Sequence, residues 1–294
     1  ITLPSETLKV FERVELVDKG SMSMEELSDF ALEIIKSKKS LLLVCNTKRE
    51  AKELFENLQA EVNNTVPMYH LSASMCTKHR KMTVESMKSD LRLPDPKQIV
   101  CVATQVIEAG VDISFNCVIR LQAGMDSIVQ AAGRCNRNGE NKLESVYIVN
   151  LLGEKLHRLK EIETAKSATE SLLLAAKTEK QYAMLNSEAA ISYYYRKLYS
   201  KMDKGEQDFL VPNLHKSLYG LLNQHDVADG YFLAQQLKTA GKYFNVFDNN
   251  TVEMIVPYGK GQDVISELNS EKAMYNLVYA EEVRTSGLHQ HHLL

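Results

Sequence analysis

The chain has no stretch of 18 or more apolar residues and no charged leader running into an apolar one, so neither a membrane-spanning helix nor a targeting peptide is predicted. It has no excess of positive charge: 35 Lys and Arg stand against 38 Asp and Glu, a net charge of −3. A surface that is basic all over is excluded, so any nucleic acid must be held by a local groove. Five cysteines (Cys45, Cys76, Cys101, Cys117, Cys135) form no C-x-x-C pair, and three lie inside apolar strand-like runs. That argues against a disulfide framework or a zinc cluster and predicts free thiols in a reducing cytoplasm. The string G-x-x-x-x-G-K-[ST] is missing, since Gly241-Lys242 and Gly259-Lys260 lack both the spacing and the following hydroxyl. With no acidic magnesium box either, the chain does not supply the phosphate-binding half of an NTPase. It begins Ile1-Thr2-Leu3-Pro4 without an initiator methionine, and we expect a processed or excised piece of something longer.

What is present is ordinary globular material, 44% hydrophobic and 25% charged over 294 residues, enough for two units. Ser23-Met24-Glu25-Glu26 has capping-box spacing and opens a predicted helix to about Ser37. Leu41 to Cys45 is apolar throughout, as in a strand buried on both faces. Thr47 and Glu50 form a second capping box, followed by Ala51, Leu54, Phe55 and Leu58 on one helical stripe. Pro67–Leu71, Ile99–Ala103, Cys117–Leu121 and Val146–Val149 read as strands, and Arg80–Leu91 as a helix. Alternation of this kind predicts an α/β fold with a parallel sheet covered on both faces, and ligands just beyond the carboxyl ends of its strands. Residues 1–152 form this first domain. Residues 153–205 are expected to be a helical connector and 206–294 a small mixed C-terminal domain. In the latter, Tyr231–Ala240 and Gln262–Leu268 read as helices and Thr251–Val256 as a strand.

Two segments carry chemistry. Ala103-Thr104-Gln105-Val106-Ile107-Glu108-Ala109-Gly110-Val111-Asp112-Ile113 follows a strand and sets a hydroxyl at its tip, then a glycine and an acid. Gln130-Ala131-Ala132-Gly133-Arg134-Cys135-Asn136-Arg137-Asn138-Gly139 sets two arginines three apart. On a helix or tight turn that spacing aims both guanidiniums the same way. Guanidinium forks suit phosphate oxygens and the spread charge of a phosphoryl-transfer transition state.

These segments resemble motifs V and VI of superfamily 2 helicases. The strings I-E-A-G-V-D and Q-A-A-G-R-C-N-R-N-G-E resemble the CRISPR-associated helicase–nuclease of type I systems in particular. Asn46-Thr47 resembles motif IV, and Tyr69 to Ser72 with Met75, Cys76, His79 and Arg80 resembles the stretch between motifs IV and V. The likeness covers residues 40–150, with a looser one over 230–268. It implies a RecA-like second motor domain in an ATP-dependent 3′–5′ DNA helicase of antiviral defence. Arg134 and Arg137 are then arginine fingers toward ATP, and Gln130 contacts the γ-phosphate or its attacking water. Gly110 and Asp112 line the nucleotide edge, with Asp112 near the ribose or paired to an arginine. Thr104, Thr47 and Ser72 hold the backbone of single-stranded DNA. ATP and Mg2+ serve the intact enzyme, with the Mg2+ ligands, the first RecA-like domain and the nuclease domain outside this chain. The implied partner is the crRNA-guided surveillance complex. The isolated chain is expected to be inactive and to bind no cofactor tightly, with both arginines near the surface facing the absent domain.

Other readings stand beside this one. Another superfamily 2 motor, such as an RNA helicase or DNA-repair translocase, shares the same core motifs, and a non-catalytic interaction module shares the fold. Glu108 is expected to partner one of the motif arginines. Tyr193-Tyr194-Tyr195-Arg196-Lys197 interleaves rings and bases as in single-strand binders, though helix packing is the plainer reading. His225-Asp226 and the tail histidines His289, His291 and His292 are not expected to bind metal.

Overall fold

The computed structural model describes residues 13–62, 66–92, 98–108, 112–139, 141–202, 210–211, 214–223, 236–244 and 254–270. The capping box at Ser23 forms as its spacing predicts. The Ser23 side chain accepts from Glu26 N, the Glu26 carboxylate accepts from Ser23 N, and helix α1 (Met24–Ser37) follows. Thr47 and Glu50 make the same reciprocal pair at 3.1 and 3.2 Å ahead of helix α2 (Lys48–Val62). The apolar runs become strands β2 (Ser40–Cys45), β3 (Met68–Leu71), β4 (Ile99–Thr104), β5 (Cys117–Leu121) and β6 (Glu144–Leu151). β2, β4 and β5 are buried at every residue, as their uninterrupted hydrophobicity requires.

One strand has no clear signal in the sequence. β1 (Val14–Met22) alternates Glu15, Asp18, Lys19 and Gly20 with apolar residues and pairs only with β6, at the sheet edge. An edge strand needs little hydrophobic signal, so its pattern is weak. All ladders of the six-stranded sheet are parallel, in the order β1-β6-β5-β2-β4-β3. This is the RecA-like α/β architecture.

Helices α1 and α2 cover one face through Leu27, Ala31, Ile34, Ala51, Leu54 and Leu58. The other face receives Met87 of α3 (Thr77–Leu91) and Ala131 and Ala132 of α4 (Met125–Ala132). The segment expected to be a connector holds α5 (Lys160–Thr178) and α6 (Glu188–Lys201). These helices share a core with the sheet domain, in which Ala168, Leu172 and Tyr194 pack with Met125, Ile128 and Ile148. In the triple tyrosine, Tyr194 is buried and donates to Asp126 at 2.8 Å, so packing accounts for the central ring.

Beyond α6 come the short hairpin β7 (Leu210–Val211) and β8 (Lys216–Ser217), then α7 (Leu218–Asn223) and α8 (Leu237–Tyr243). The chain divides into two compact units, Ile1–Met75 with Arg80–Asn245, and Cys76–His79 with Val246–Leu294. Helix α9 (Lys260–Leu268) belongs to the second unit and matches the helix expected from Gln262. Of the strand expected over Thr251–Val256, the described residues Met254–Val256 are not in a strand, and 251–253 lie outside the described residues. So do residues 231–235 of the expected helix, His225, Asp226 and the tail histidines. Among the described residues no helix is long and apolar enough to cross a membrane.

Candidate functional site

The site begins at the turn between β5 and α4. Gly124 caps the helix in close quarters: an added Cβ would lie 2.4 Å from Asp126 Oδ1 and 2.6 Å from the Tyr194 hydroxyl. From there α4 runs back alongside β5, and eight helical residues carry the chain about 12 Å. Its end therefore reaches the amino end of β5, where Phe115 N donates to Arg134 O at 2.8 Å and Asn136 N to Phe115 O at 2.9 Å. The arginine pair thus departs from the expectation that ligand groups sit beyond the strands' carboxyl ends. Strand-following loops place Thr104 there, but a helix intervenes before Arg134.

The turn that follows is not helical. Asn136 adopts left-handed φ of 47°, a region asparagine tolerates. Its side chain donates to Arg13 O at 3.0 Å and Asn141 O at 2.7 Å. This turn sends the two arginines to opposite ends of one segment. Arg134 Nη2 donates to Glu108 O at 2.6 Å, and Arg137 Nε lies 3.1 Å from Asp112 Oδ1. Arg134 is buried, which corrects the expectation of two surface arginines; its guanidinium turns inward toward a backbone carbonyl. Burial and the neighbouring Arg137 guanidinium both press its pKa below the ordinary arginine value. Its Nε has no hydrogen-bond partner among the described residues. Arg137 is 42% exposed and Asp112 76%. Gln130 lies exposed on α4, and Gly110 lies outside the described residues. Asp112 also borders a cavity of about 290 Å³ that Lys39, Lys88 and Arg92 line as well.

The three candidate hydroxyl residues come from neighbouring strand ends. Thr104 closes β4, opposite Cys45 of β2, and Ser72 and Thr47 lie one and two residues past β3 and β2. Ladder order β2-β4-β3 puts them in a row along the carboxyl edge. Thr104 and Ser72 are buried, and Thr104 Oγ1 has no partner among the described residues. Thr47 is half-buried with its oxygen engaged in the α2 cap.

Between the hydroxyl row and the arginine pair lies Arg120, which belongs to neither motif and was not a candidate on sequence grounds. It is the next-to-last residue of β5 and has no solvent exposure. Nη1 donates to Asn46 Oδ1 at 2.7 Å, Leu121 O at 2.9 Å and Val44 O at 3.3 Å, and Nη2 to Ser127 Oγ at 2.8 Å. Nε lies 3.2 Å from Glu108 Oε1, an ion pair without hydrogen-bond alignment. Ser127 Oγ in turn reaches both Glu108 oxygens at 2.9 Å. Glu108 therefore partners Arg120 through its carboxylate and Arg134 only through its carbonyl, a correction to the expected side-chain pair. Burial pushes the Glu108 carboxyl up and the Arg120 guanidinium down, each opposed by the other's charge. The network continues through Asn46 Nδ2 to Glu154 Oε1 at 2.7 Å, and Glu154 pairs with Lys166 at 2.6 Å. Burial first, then the Glu154 charge, raises Glu50 to about 7. The available signal was a lone arginine in an apolar run, which must find acceptors wherever the strand is buried.

Among the described residues no group of three or more His, Cys, Asp or Glu is placed to hold a metal. The fit to a nucleotide rests on the arginines. Arg134 keeps an orphaned buried donor and Arg137 an exposed guanidinium, a donor set suited to phosphate oxygens.

The family described as CRISPR-associated nuclease/helicase Cas3, C-terminal, matches residues 37–140. A CRISPR-associated nuclease/helicase Cas3 of Haloferax volcanii is 63% identical over 41 residues, 14% of this chain and 4% of that protein. One of Methanothermobacter thermautotrophicus is 30% identical over 134 residues, 46% of this chain and 14% of that protein. The crystal structure of T. fusca Cas3 superposes with a TM-score of 0.52 at 16% identity, covering 66% of this chain and 25% of that one, a likeness of fold. The chain thus matches a small part of the length of these relatives.

Proposed function

We infer that this chain, whose residues 37–140 match the C-terminal part of CRISPR-associated nuclease/helicase Cas3, is the second motor domain of an ATP-dependent DNA translocase acting in type I CRISPR interference. ATP with Mg2+ supplies the phosphoryl group whose transfer to water drives such a motor. In this reading a first RecA-like domain outside the chain binds most of the nucleotide and the metal. Arg134 and Arg137 would hold the terminal phosphate from the opposite side, with Gln130 beside it on α4 and Gly110 and Asp112 along the nucleotide edge. Their contribution is electrostatic: two guanidiniums stabilise charge that grows on equatorial oxygens in the transition state. Thr104, Ser72 and Thr47 would hold backbone phosphates of single-stranded DNA. Alternate closure and opening of the two domains would then step the strand 3′ to 5′ toward a nuclease domain elsewhere. A crRNA-guided surveillance complex would present that strand.

One observation carries the reading. Two segments more than twenty residues apart in sequence meet as a clamp, Arg134 on Glu108 O and Arg137 on Asp112. Arg134 Nε is buried there without a partner among the described residues. The test is Arg137→Ala in the intact parent protein. DNA-stimulated ATP turnover should fall by roughly three orders of magnitude, while ATP affinity falls less. Turnover equal to that of the unaltered protein removes the assignment.

A further inference from the structure

We propose that Arg120 is a positioning residue linking the nucleic-acid edge to the arginine pair, so that what is held at the strand ends is felt at Glu108 and Arg134. This rests on the helicase reading above.

The donors of Arg120 reach three segments of the candidate site. One set reaches the end of β2, to Val44 O and Asn46 Oδ1, and Asn46 immediately precedes Thr47 in the hydroxyl row. Another reaches Ser127 on α4, the helix that carries Gln130 and leads into Arg134. Nε faces the carboxylate of Glu108, whose carbonyl receives Arg134. One side chain thus joins all three segments of the candidate site, with Ser127 locking Glu108 from the far side.

Stability alone gives little reason for this arrangement. A buried ion pair seldom outdoes well-packed apolar residues of the same volume, and Val118, Ile119 and Leu121 fill the adjoining positions of the same strand. What the pair supplies instead is geometry. Hydrogen-bond directions fix Glu108 relative to Asn46 to within a fraction of an ångström, and a close-packed interior transmits displacement instead of absorbing it. A shift of the Asn46–Thr47 turn on binding DNA therefore moves the Arg120 guanidinium, and with it the Glu108 carbonyl that holds Arg134.

The experiment uses the intact parent protein, with ATP turnover measured with and without single-stranded DNA at saturating ATP. The paired change Arg120→Met with Glu108→Gln removes both charges at near-constant volume and leaves no unpaired buried charge. Ser127→Ala cuts the link to α4 and serves if the paired variant does not fold. DNA affinity should stay within about threefold, while the ratio of DNA-stimulated to DNA-free turnover falls roughly tenfold, within the usual range of coupling between sites. Ser127→Ala should lower the same ratio while leaving DNA affinity within about threefold. An unaltered ratio in folded variants, or a uniform loss of every parameter together with the thermal midpoint, makes Arg120 a structural residue only and overturns the proposal. An unaltered parent protein with no DNA-stimulated turnover overturns the helicase reading and takes this inference with it. A stimulated parent with unaltered variants overturns this inference alone.

Discussion

Two arginine–carboxylate pairs sit within one domain and behave as opposites. Arg120 and Glu108 are 0% and 6% exposed, and the arginine satisfies its two terminal nitrogens on four further acceptors. Arg137 and Asp112 are 42% and 76% exposed, with water screening their 3.1 Å contact. The buried pair is committed to the protein. The exposed pair is free to exchange partners. Of these two, Arg137 is placed to meet a ligand and Arg120 to shape the site.

The largest expected effect breaks the buried pair. Arg120→Ala leaves Glu108 charged without its partner inside the domain and should cost about 3–5 kcal/mol, read as a lower urea midpoint of the isolated chain. A cost under about 1 kcal/mol would mean that water reaches Glu108 and that the two pairs do not differ as described.

A second effect extends the contrast to the carboxylates at the far end of the network. Glu50 is raised from 4.5 to about 7 by burial and by Glu154, so the folded state holds its proton more tightly than the unfolded chain. Its contribution is complete below about pH 4.5 and is lost as pH rises through about 7. The unfolding free energy of the chain should therefore fall across that window relative to Glu50→Gln, by at most about 3 kcal/mol and by less to the extent that water screens the carboxylate. Parallel pH profiles of the two proteins would show that Glu50 titrates normally.

Smaller still is Thr104, whose buried hydroxyl has no partner among the described residues. Thr104→Val keeps the shape and removes an unmet polar group, and should stabilise the chain by about 1 kcal/mol. Single-strand affinity of the parent protein should weaken in the same variant. A gain in stability with unchanged affinity removes Thr104 from the nucleic-acid edge.

The smallest change is expected at Arg137→Ala, within about 0.5 kcal/mol of the unaltered chain in thermal melts. A loss comparable to that of Arg120→Ala would make the exposed pair structural and erase the contrast.

Much of this domain is legible in the amino-acid sequence. Strands buried on both faces leave continuous apolar runs, so β2, β4 and β5 can be read from Leu41–Cys45, Ile99–Ala103 and Cys117–Leu121. Capping boxes are local chemistry, and those at Ser23 and Thr47 form as spaced. Edge strand β1 is not legible, because one neighbour and one half-buried face demand little of its residues.

Sequence order determined which residues could carry chemistry: Thr104, Glu108, Asp112, Arg134 and Arg137 stand in strings whose spacing is complete along the chain. Partner choice was decided only in three dimensions. Whether Glu108 meets Arg120 or Arg134 depends on α4 folding back along β5 and on the left-handed turn at Asn136. Side chains 12 and 26 residues away compete for the same carboxylate, and no local rule ranks them. Burial decides: the fully buried guanidinium of β5 takes the carboxylate in addition to its neutral acceptors, which offsets its desolvation, while the one at the turn donates to a carbonyl and its Nε has no partner among the described residues.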